Sequence, residues 1–273
     1  MVHGVSTYLF VGERITPALL DRIARTGIVL AELFCARSSF DYRSRAQAAE
    51  IARYFRDSPL QLHSLHSPIY RSGEWESRSP QDLVNIADPE RIRRREGVDE
   101  IKRALEVAEL ARFKYLIQHI GATGEAFDPR KMDAAVASLE ELNAFARDRG
   151  VEILLENILN RLSTPEQLVG FVERTGLPNG FCFDTGHAHL ESGVEAAFEM
   201  MKERTRSTHV HGNDGAADQH LLPPGGALDW KHTMELLRSR AHQYPLLIEP
   251  ERPPGGQDPL EALRRSLDQL EEQ

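Results

Sequence analysis

A (β/α)8 barrel, one domain spanning residues 1–273, is the fold class the sequence predicts, on three observations. Strand-like and helix-like patterns alternate about eight times along the chain. The strand candidates are short apolar or β-branched runs, as parallel strands buried on both faces are. Four of them stop at a side chain able to bind a metal. Residues 152–157 (EILLEN) stop at Glu156, 180–187 (GFCFDTGH) at Asp184, 208–214 (THVHGND) at His211 and 246–252 (LLIEPER) at Glu249. Carboxylates and imidazoles are costly to bury unless a cation or hydrogen bonds compensate them. Their recurrence at the same place in successive strands predicts convergence on the C-terminal rim of a barrel. A doubly wound open sheet is the main competitor, but the glycine-rich phosphate loop it would carry after an early strand is absent.

In chain order, strands are expected to start near Val5, Ile28, Leu60, Tyr115, Glu152, Gly180, Thr208 and Leu246. Ile101, Ala104, Leu105, Ala108 and Ala111 mark a helix before the Tyr115 strand. Met132, Ala135, Val136, Leu139, Leu142, Phe145 and Ala146 recur at helical spacing. Asp128-Pro129 supplies a cap and first-turn proline for that helix, and Gly150 a stop. Thr164-Pro165-Glu166-Gln167 reads as a capping box opening a helix that ends near Gly176. The longest irregular stretches, 67–95 and 212–226, follow strand ends that carry histidines, so both are expected to overhang the site. No linker, internal repeat or low-complexity segment divides the chain.

Composition narrows the function classes. Apolar residues make up 41% and charged residues 27%, ordinary for a soluble domain with a substantial core. No apolar run approaches the ~20 residues of a membrane span. The start, MVHGVSTYLF, lacks the basic segment and long apolar stretch of a secretory signal. Cys35 and Cys182 fit a reduced, cytoplasmic setting and read as small buried apolar residues rather than a metal pair. A net charge of −9 argues against broad nucleic-acid binding, although a local basic patch or bound cations could still meet a phosphate.

Eight of the 11 histidines fall at or just after predicted strand ends: His63, His66, His119, His187, His189, His209, His211 and His220. Neutral imidazole is the commonest transition-metal ligand. A lone histidine in such a place is more often structural; the joint pattern with four carboxylates favours a site. Glu156 and Glu249 follow nearly uninterrupted apolar runs, where an unpaired charge is improbable. Asp184 precedes Thr-Gly-His187, and a helix N-cap explains it equally well when taken alone. Asp218 and His220 sit two apart in a loop that could equally be an ordinary solvated one. His209 and His211 share a strand face, and His211, nearer the rim, is the expected ligand, with His209 packed or supporting it. His63 and His66 cannot share a face by simple alternation; His66 is the expected ligand, and His63 and His189 are read as structural. Glu32, inside VLAELF, is either a buried acid near the site or half of a salt bridge.

Seven motifs carry a resemblance to the xylose isomerase-like TIM barrel superfamily, which includes sugar isomerases, sugar epimerases and endonuclease IV. They are HSPIY at His66, QHIG at His119, EN at Glu156, FDTGH at Asp184, HGND at His211, DQH at Asp218 and IEPE at Glu249. Carried over residue by residue, the resemblance implies up to three metal sites. One would use His66, His119 and Glu156; a second Glu156, Asp184, His211 and Glu249; a third His187, Asp218 and His220. The second resembles the single-metal site of the sugar epimerases, and the complete set resembles the trinuclear zinc site of endonuclease IV. The oxygen-rich second set suits manganese, magnesium or cobalt, and the histidine-rich sets suit zinc. The sequence also departs from both patterns. Gly186 stands where the endonuclease motif DTCH has Cys, and the loop from His211 to Asp218 is shorter. Ile69-Tyr70, followed by Arg71, replaces a DNA-inserting Tyr-Leu pair. Ala217 and Leu162 replace an arginine and a glutamate of the ketose 3-epimerases.

The expectation is a divalent-metal-dependent isomerase or epimerase of a sugar, sugar phosphate or polyol. Glu156 and Glu249 would exchange a proton at carbon through an enediolate, and His187 would hold a substrate hydroxyl when not binding metal. The segment DQHLLPPGGALDW resembles one common among such proteins. The alternatives are an endonuclease IV-like phosphodiester hydrolase and a barrel that binds a small molecule without turnover. The partner expected is a small carbohydrate, not nucleic acid or membrane. Association into a homo-oligomer is what the superfamily's habit implies.

Overall fold

The computed structural model describes residues 1–73 and 79–273; the part of the 67–95 loop at residues 74–78 lies outside them. The eight strands are β1 (His3–Ser6), β2 (Leu30–Phe34), β3 (Gln61–His66), β4 (Tyr115–Gln118), β5 (Glu152–Glu156), β6 (Gly180–Asp184), β7 (Thr205–His209) and β8 (Leu246–Ile248). Each lies parallel to its neighbours in the order β7-β6-β5-β4-β3-β2-β1-β8. A parallel bridge from Val210 to Ile248 joins the two ends and closes the (β/α)8 barrel. The outer ring is α1 (Pro17–Ala24), α2 (Arg45–Asp57), α3 (Arg91–Leu105), α4 (Pro129–Arg147), α5 (Pro165–Thr175), α6 (Thr185–Glu191), α7 (Val194–Met201), α8 (Trp230–Arg238) and α9 (Pro259–Glu271).

The helix signals act as the sequence implies. The Asp128 carboxylate accepts from the Arg130 N–H, with Pro129 in the first turn of α4. The Thr164 hydroxyl accepts from the Gln167 N–H, and α5 ends on Gly176 at φ 69°, a left-handed conformation that glycine adopts without steric cost. The main core lies between sheet and helices, where Leu33, Leu65, Leu116, Leu155 and Phe183 join Ile51, Ile101, Leu139, Phe171 and Phe198. A second, small cluster of Tyr115, Ile117, Leu154 and Cys182 forms separately from it. Side chains two apart share a strand face. His119 therefore continues the face of Ile117, Glu156 that of Leu154, and Asp184 that of Cys182.

Two strands differ from the sequence expectation. β7 begins at Thr205 rather than near Thr208, because its first residues are polar yet buried. The Thr205 hydroxyl donates to the Met201 carbonyl at 3.0 Å and Thr208 to that of Pro245 at 2.9 Å, so no apolar run marks the strand. Between β2 and β3 the register steps from Ala31↔Leu62 to Glu32↔Ser64, leaving His63 as an extra residue. This bulge breaks the alternation that would separate His63 from His66. His63 reaches across to β7, with Nε2 3.2 Å from the Ser207 hydroxyl. Both cysteines are buried and free. Among the described residues, no helix is long and apolar enough to cross a membrane.

Burial lowers the pKa of His63 to about 4, against the pull of Glu32. An unfolded imidazole takes its proton near pH ~6.5. As pH falls from there to about 4 the unfolded chain binds the extra proton, so stability present above that window is lost within it, by up to about 3 kcal/mol. His63→Gln should flatten this part of the pH dependence in urea unfolding; an unchanged slope would assign the loss to other groups.

Candidate metal and active site

The strand ends deliver their side chains to one rim. His66 and Glu156 close β3 and β5, Asp184 and His209 close β6 and β7, and His119 and Glu249 directly follow β4 and β8. The loop after β7 returns His220 and Asp218 to the same place, held by an antiparallel bridge between Gly212 and Leu221. His220 Nδ1 lies 2.8 Å from the Glu249 carbonyl, a second tie to the barrel.

Three groups of donors result, with the donor atoms of each group within 4.8 Å of one another. His66, His119 and Glu156 form one, as the resemblance implies. The second holds Glu156, Asp184 and Glu249 with His209, and the third holds His187, Asp218 and His220 with His211. His211 also borders the second group, since its Nε2 is 3.1 Å from Asp184 Oδ2. Both histidines of the HVH segment thus reach carboxylates. His209 Nδ1 lies 2.8 Å from Glu156 Oε1 and 3.2 Å from Glu249 Oε2. Ranking the two by height on the strand misses this, because the Glu156 and Glu249 carboxylates come within reach of the lower ring. His189 pairs with Asn213, away from the rim groups.

Asp184 serves both readings the sequence left open. Its Oδ1 accepts from the His187 N–H at 2.7 Å, capping α6, while Oδ2 faces His211. Asn157 fixes the strand end beneath it. The Asn157 amide donates to the Asp184 carbonyl at 2.9 Å, and its Oδ1 accepts from the Asp184 N–H at 2.8 Å.

Ring orientation suits a cation. His66, His187 and His220 each place Nδ1 2.8–2.9 Å from a backbone carbonyl, of Ser67, Asn157 and Glu249 respectively. A carbonyl only accepts, so Nδ1 carries the hydrogen and Nε2 turns toward the carboxylates, the arrangement found around metal-ligating histidines. Two buried acceptor-capable atoms of the rim, His211 Nδ1 and Glu249 Oε1, have no hydrogen-bond partner among the described residues. An electron-pair acceptor would satisfy both, and the nitrogen and oxygen donor set fits zinc, manganese or cobalt.

Charges are strongly coupled here. Burial opposes ionisation of Glu156, but His209 and His119 hold its pKa well below the usual carboxylate range. Burial and the neighbouring Glu156 charge push Glu249 up to about 7, despite His209. Burial disfavours the charged forms of His187 and His220, yet Asp184 and Asp218 raise them to about 10 and about 9. Burial lowers His119 and His211. Above the rim, an open cleft with a cavity of about 180 Å³ is walled by Tyr8, Phe34, Ile69, Tyr70, Thr123 and Ile158, with the glutamates and histidines beneath. The sequence reading named Ile69 and Tyr70 of this wall within HSPIY but missed Tyr8, Phe34, Thr123 and Ile158, which follow no motif. It also left open Glu32, which does carry the signal of an acid inside an apolar run.

Over residues 20–273 the chain matches the family described as xylose isomerase-like TIM barrel. It belongs to that family. Among curated relatives, a D-psicose 3-epimerase of Enterocloster bolteae is 24% identical over 243 residues, covering 85% of this chain and 75% of the relative. A probable endonuclease 4 of Natronomonas pharaonis is 29% identical over 160 residues, 54% of this chain and 56% of the relative. The solved apo structure of 3-keto-D-glucoside 4-epimerase from E. coli superposes with a TM-score of 0.78 over 100% of both chains at 18% identity. Proteins named as epimerases and one named as a probable endonuclease thus both resemble this chain.

Gly186 has a structural reason to replace the Cys of the endonuclease motif. A Cβ there would lie 2.1 Å from His211 Cε1. The His211 ring fills that space and stacks on His220, with centroids 3.7 Å apart and planes at 11°. Gly186→Ala should cost about 1–3 kcal/mol in denaturant unfolding, the usual range for overpacking; wild-type stability would show that the stack can move aside. A divalent ion binding the His187, His211, Asp218 and His220 group must displace protons held by His187 and His220. Uptake should therefore weaken as pH falls and release protons, read from calorimetry in buffers of different ionisation enthalpy.

Proposed function

We propose that the chain is a divalent-metal-dependent epimerase or isomerase acting on a sugar or a closely related polyhydroxy compound. The observation that supports this best is the pairing of two buried glutamates, Glu156 and Glu249, with carboxylate oxygens within 4.8 Å of one another beneath an open cleft. Proton exchange at a carbon beside a carbonyl needs one carboxylate to remove the proton and another acidic group to return it. The environments of Glu156 and Glu249 separate their pKa values, the condition under which one carboxyl serves as base and its neighbour as acid. Glu156, Asp184, His211 and Glu249 would hold the ion, with His66 and His119 beside Glu156. A divalent ion there would act as a Lewis acid on neighbouring substrate oxygens. His187 would hold a substrate hydroxyl through Nε2, its Nδ1 being committed to the Asn157 carbonyl. Tyr8, Phe34 and Tyr70 add aromatic side chains to the lining of the cleft. The likeness to D-psicose 3-epimerase points to a keto sugar or its conjugate as substrate.

A phosphodiester hydrolase is the second reading, favoured by the gathering of His187, His211, Asp218 and His220 into a further donor group. Clustered zinc ions would supply hydroxide and stabilise a leaving oxygen.

The decisive test follows the exchange of solvent deuterium into keto sugars, with metal content per chain measured on untagged protein. Glu249→Gln should lower exchange by at least about 10³-fold while leaving the circular dichroism and melting of the barrel intact. Near-normal exchange in that variant would remove Glu249 from the chemistry. No exchange in the unaltered protein, with roughly three zinc ions per chain and nicking of abasic DNA, would establish the hydrolase instead.

A further inference from the structure

Behind the rim lies a buried polar contact that neither the cleft nor the three donor groups fully absorb. Glu32 sits in the middle of β2, fully buried in an otherwise apolar strand. The Ser64 hydroxyl donates to its Oε2 at 2.7 Å. His209 Nε2 lies 3.0 and 3.2 Å from its two oxygens. β2 and β7 are not neighbours in the sheet, so this contact spans the barrel interior.

The other side of the same ring meets the rim. His209 Nδ1 faces Glu156 Oε1 at 2.8 Å and Glu249 Oε2 at 3.2 Å. Each carboxylate is thereby divided. Glu156 keeps Oε2 for His119 at 2.9 Å and His66 at 3.5 Å. Glu249 keeps Oε1, which has no hydrogen-bond partner among the described residues. Both nitrogens of His209 are engaged by carboxylates, whereas His211 Nδ1 has no partner. Neither Glu32 nor His209 lines the cleft. Stability alone does not account for such an arrangement, because well-packed apolar residues often replace a buried ion pair without loss.

We propose that Glu32 and His209 are a positioning pair. Glu32 fixes the His209 ring, and the ring anchors one oxygen of Glu156 and one of Glu249, turning the other oxygen of each toward the ion and the substrate. The inference rests on Glu156 and Glu249 being the working carboxylates, as proposed above. His209 acts as the aiming donor, and His211 retains the nitrogen free to bind the ion.

The test compares the unaltered protein with Glu32→Gln and Glu32→Leu. Gln keeps one acceptor for His209 Nε2; Leu keeps none. Three readouts are taken: Mn2+ affinity by calorimetry, the visible absorption bands of the Co2+-loaded protein, and the carboxyl 13C resonances of Glu156 and Glu249 before metal is added. Glu32→Leu should weaken Mn2+ binding by about 10–100-fold, the usual effect of losing a partner behind a metal ligand, and shift the Co2+ bands. Glu32→Gln should fall between. Unchanged affinity and bands in both variants would overturn the proposal. If Glu32→Leu does not fold, Glu32→Gln decides by the same readouts. If the unaltered protein takes up neither Mn2+ nor Co2+, the metal reading fails on its own account. The carboxyl resonances then judge the pair: movement of both in Glu32→Gln supports it, and no movement overturns it.

Discussion

The Glu156 carboxylate is the charge around which the rim is organised. It is buried at the end of β5, where its desolvation would favour the neutral acid, and imidazoles from three other strand ends hold it ionised. His119 and His209 make the short contacts at 2.9 and 2.8 Å, and His66 approaches at 3.5 Å. Two of the three donor groups share Glu156, so the groups are facets of one electrostatic cluster. A carboxylate in such a place is tolerable only while these partners stay in position. The demand on strand register is therefore strict: a slip of one residue in β5 would send the carboxylate to the helix side.

Local structure and site chemistry are joined at Asp184. One oxygen terminates the free N–H groups of α6 and the other belongs to the rim, so the start of that helix and the height of the carboxylate are set together. Asn157 ties the neighbouring strand end to the same backbone, and its carbonyl receives His187. A single dipeptide, Glu156-Asn157, therefore supplies a rim carboxylate and the backbone frame for the next strand's residues. The orientation of His187 follows from this frame.

Much of this was legible because buried charge leaves a clear trace in sequence. An acid that ends an apolar run, as at Glu156 or Glu249, has few structural explanations, and the strand starts at Tyr115, Glu152, Gly180 and Leu246 coincide with the observed ones. The start of β7 was not legible, since Thr205, Ser207 and Thr208 pair their hydroxyls with the Met201 carbonyl, His63 and the Pro245 carbonyl and so need no apolar pattern. His63 escaped alternation through a bulge, which no periodicity rule anticipates. The role of His209 depends on how far the glutamates reach toward the lower ring, a matter of side-chain geometry. The rest of the cleft wall, beyond Ile69 and Tyr70, was invisible for a different reason. Tyr8, Phe34 and Ile158 are ordinary core-type residues until the loops place them around an opening.

Of the three donor groups, only the third draws on the loop after β7. The groups built on Glu156 draw on strand ends or residues directly following them, whereas Asp218 and His220 come from the segment after β7. That segment is held by the Gly212–Leu221 bridge and by His220 against the Glu249 carbonyl. The same carbonyl belongs to the residue whose carboxylate stands between His209 and the cleft. Any shift of this loop therefore acts on the third donor group and on Glu249 together. The His211–His220 stack, admitted by the missing side chain at Gly186, sets how closely the loop can approach. The third donor group can thus change through residues 186 and 212–226, with the strand-borne carboxylates unchanged in sequence.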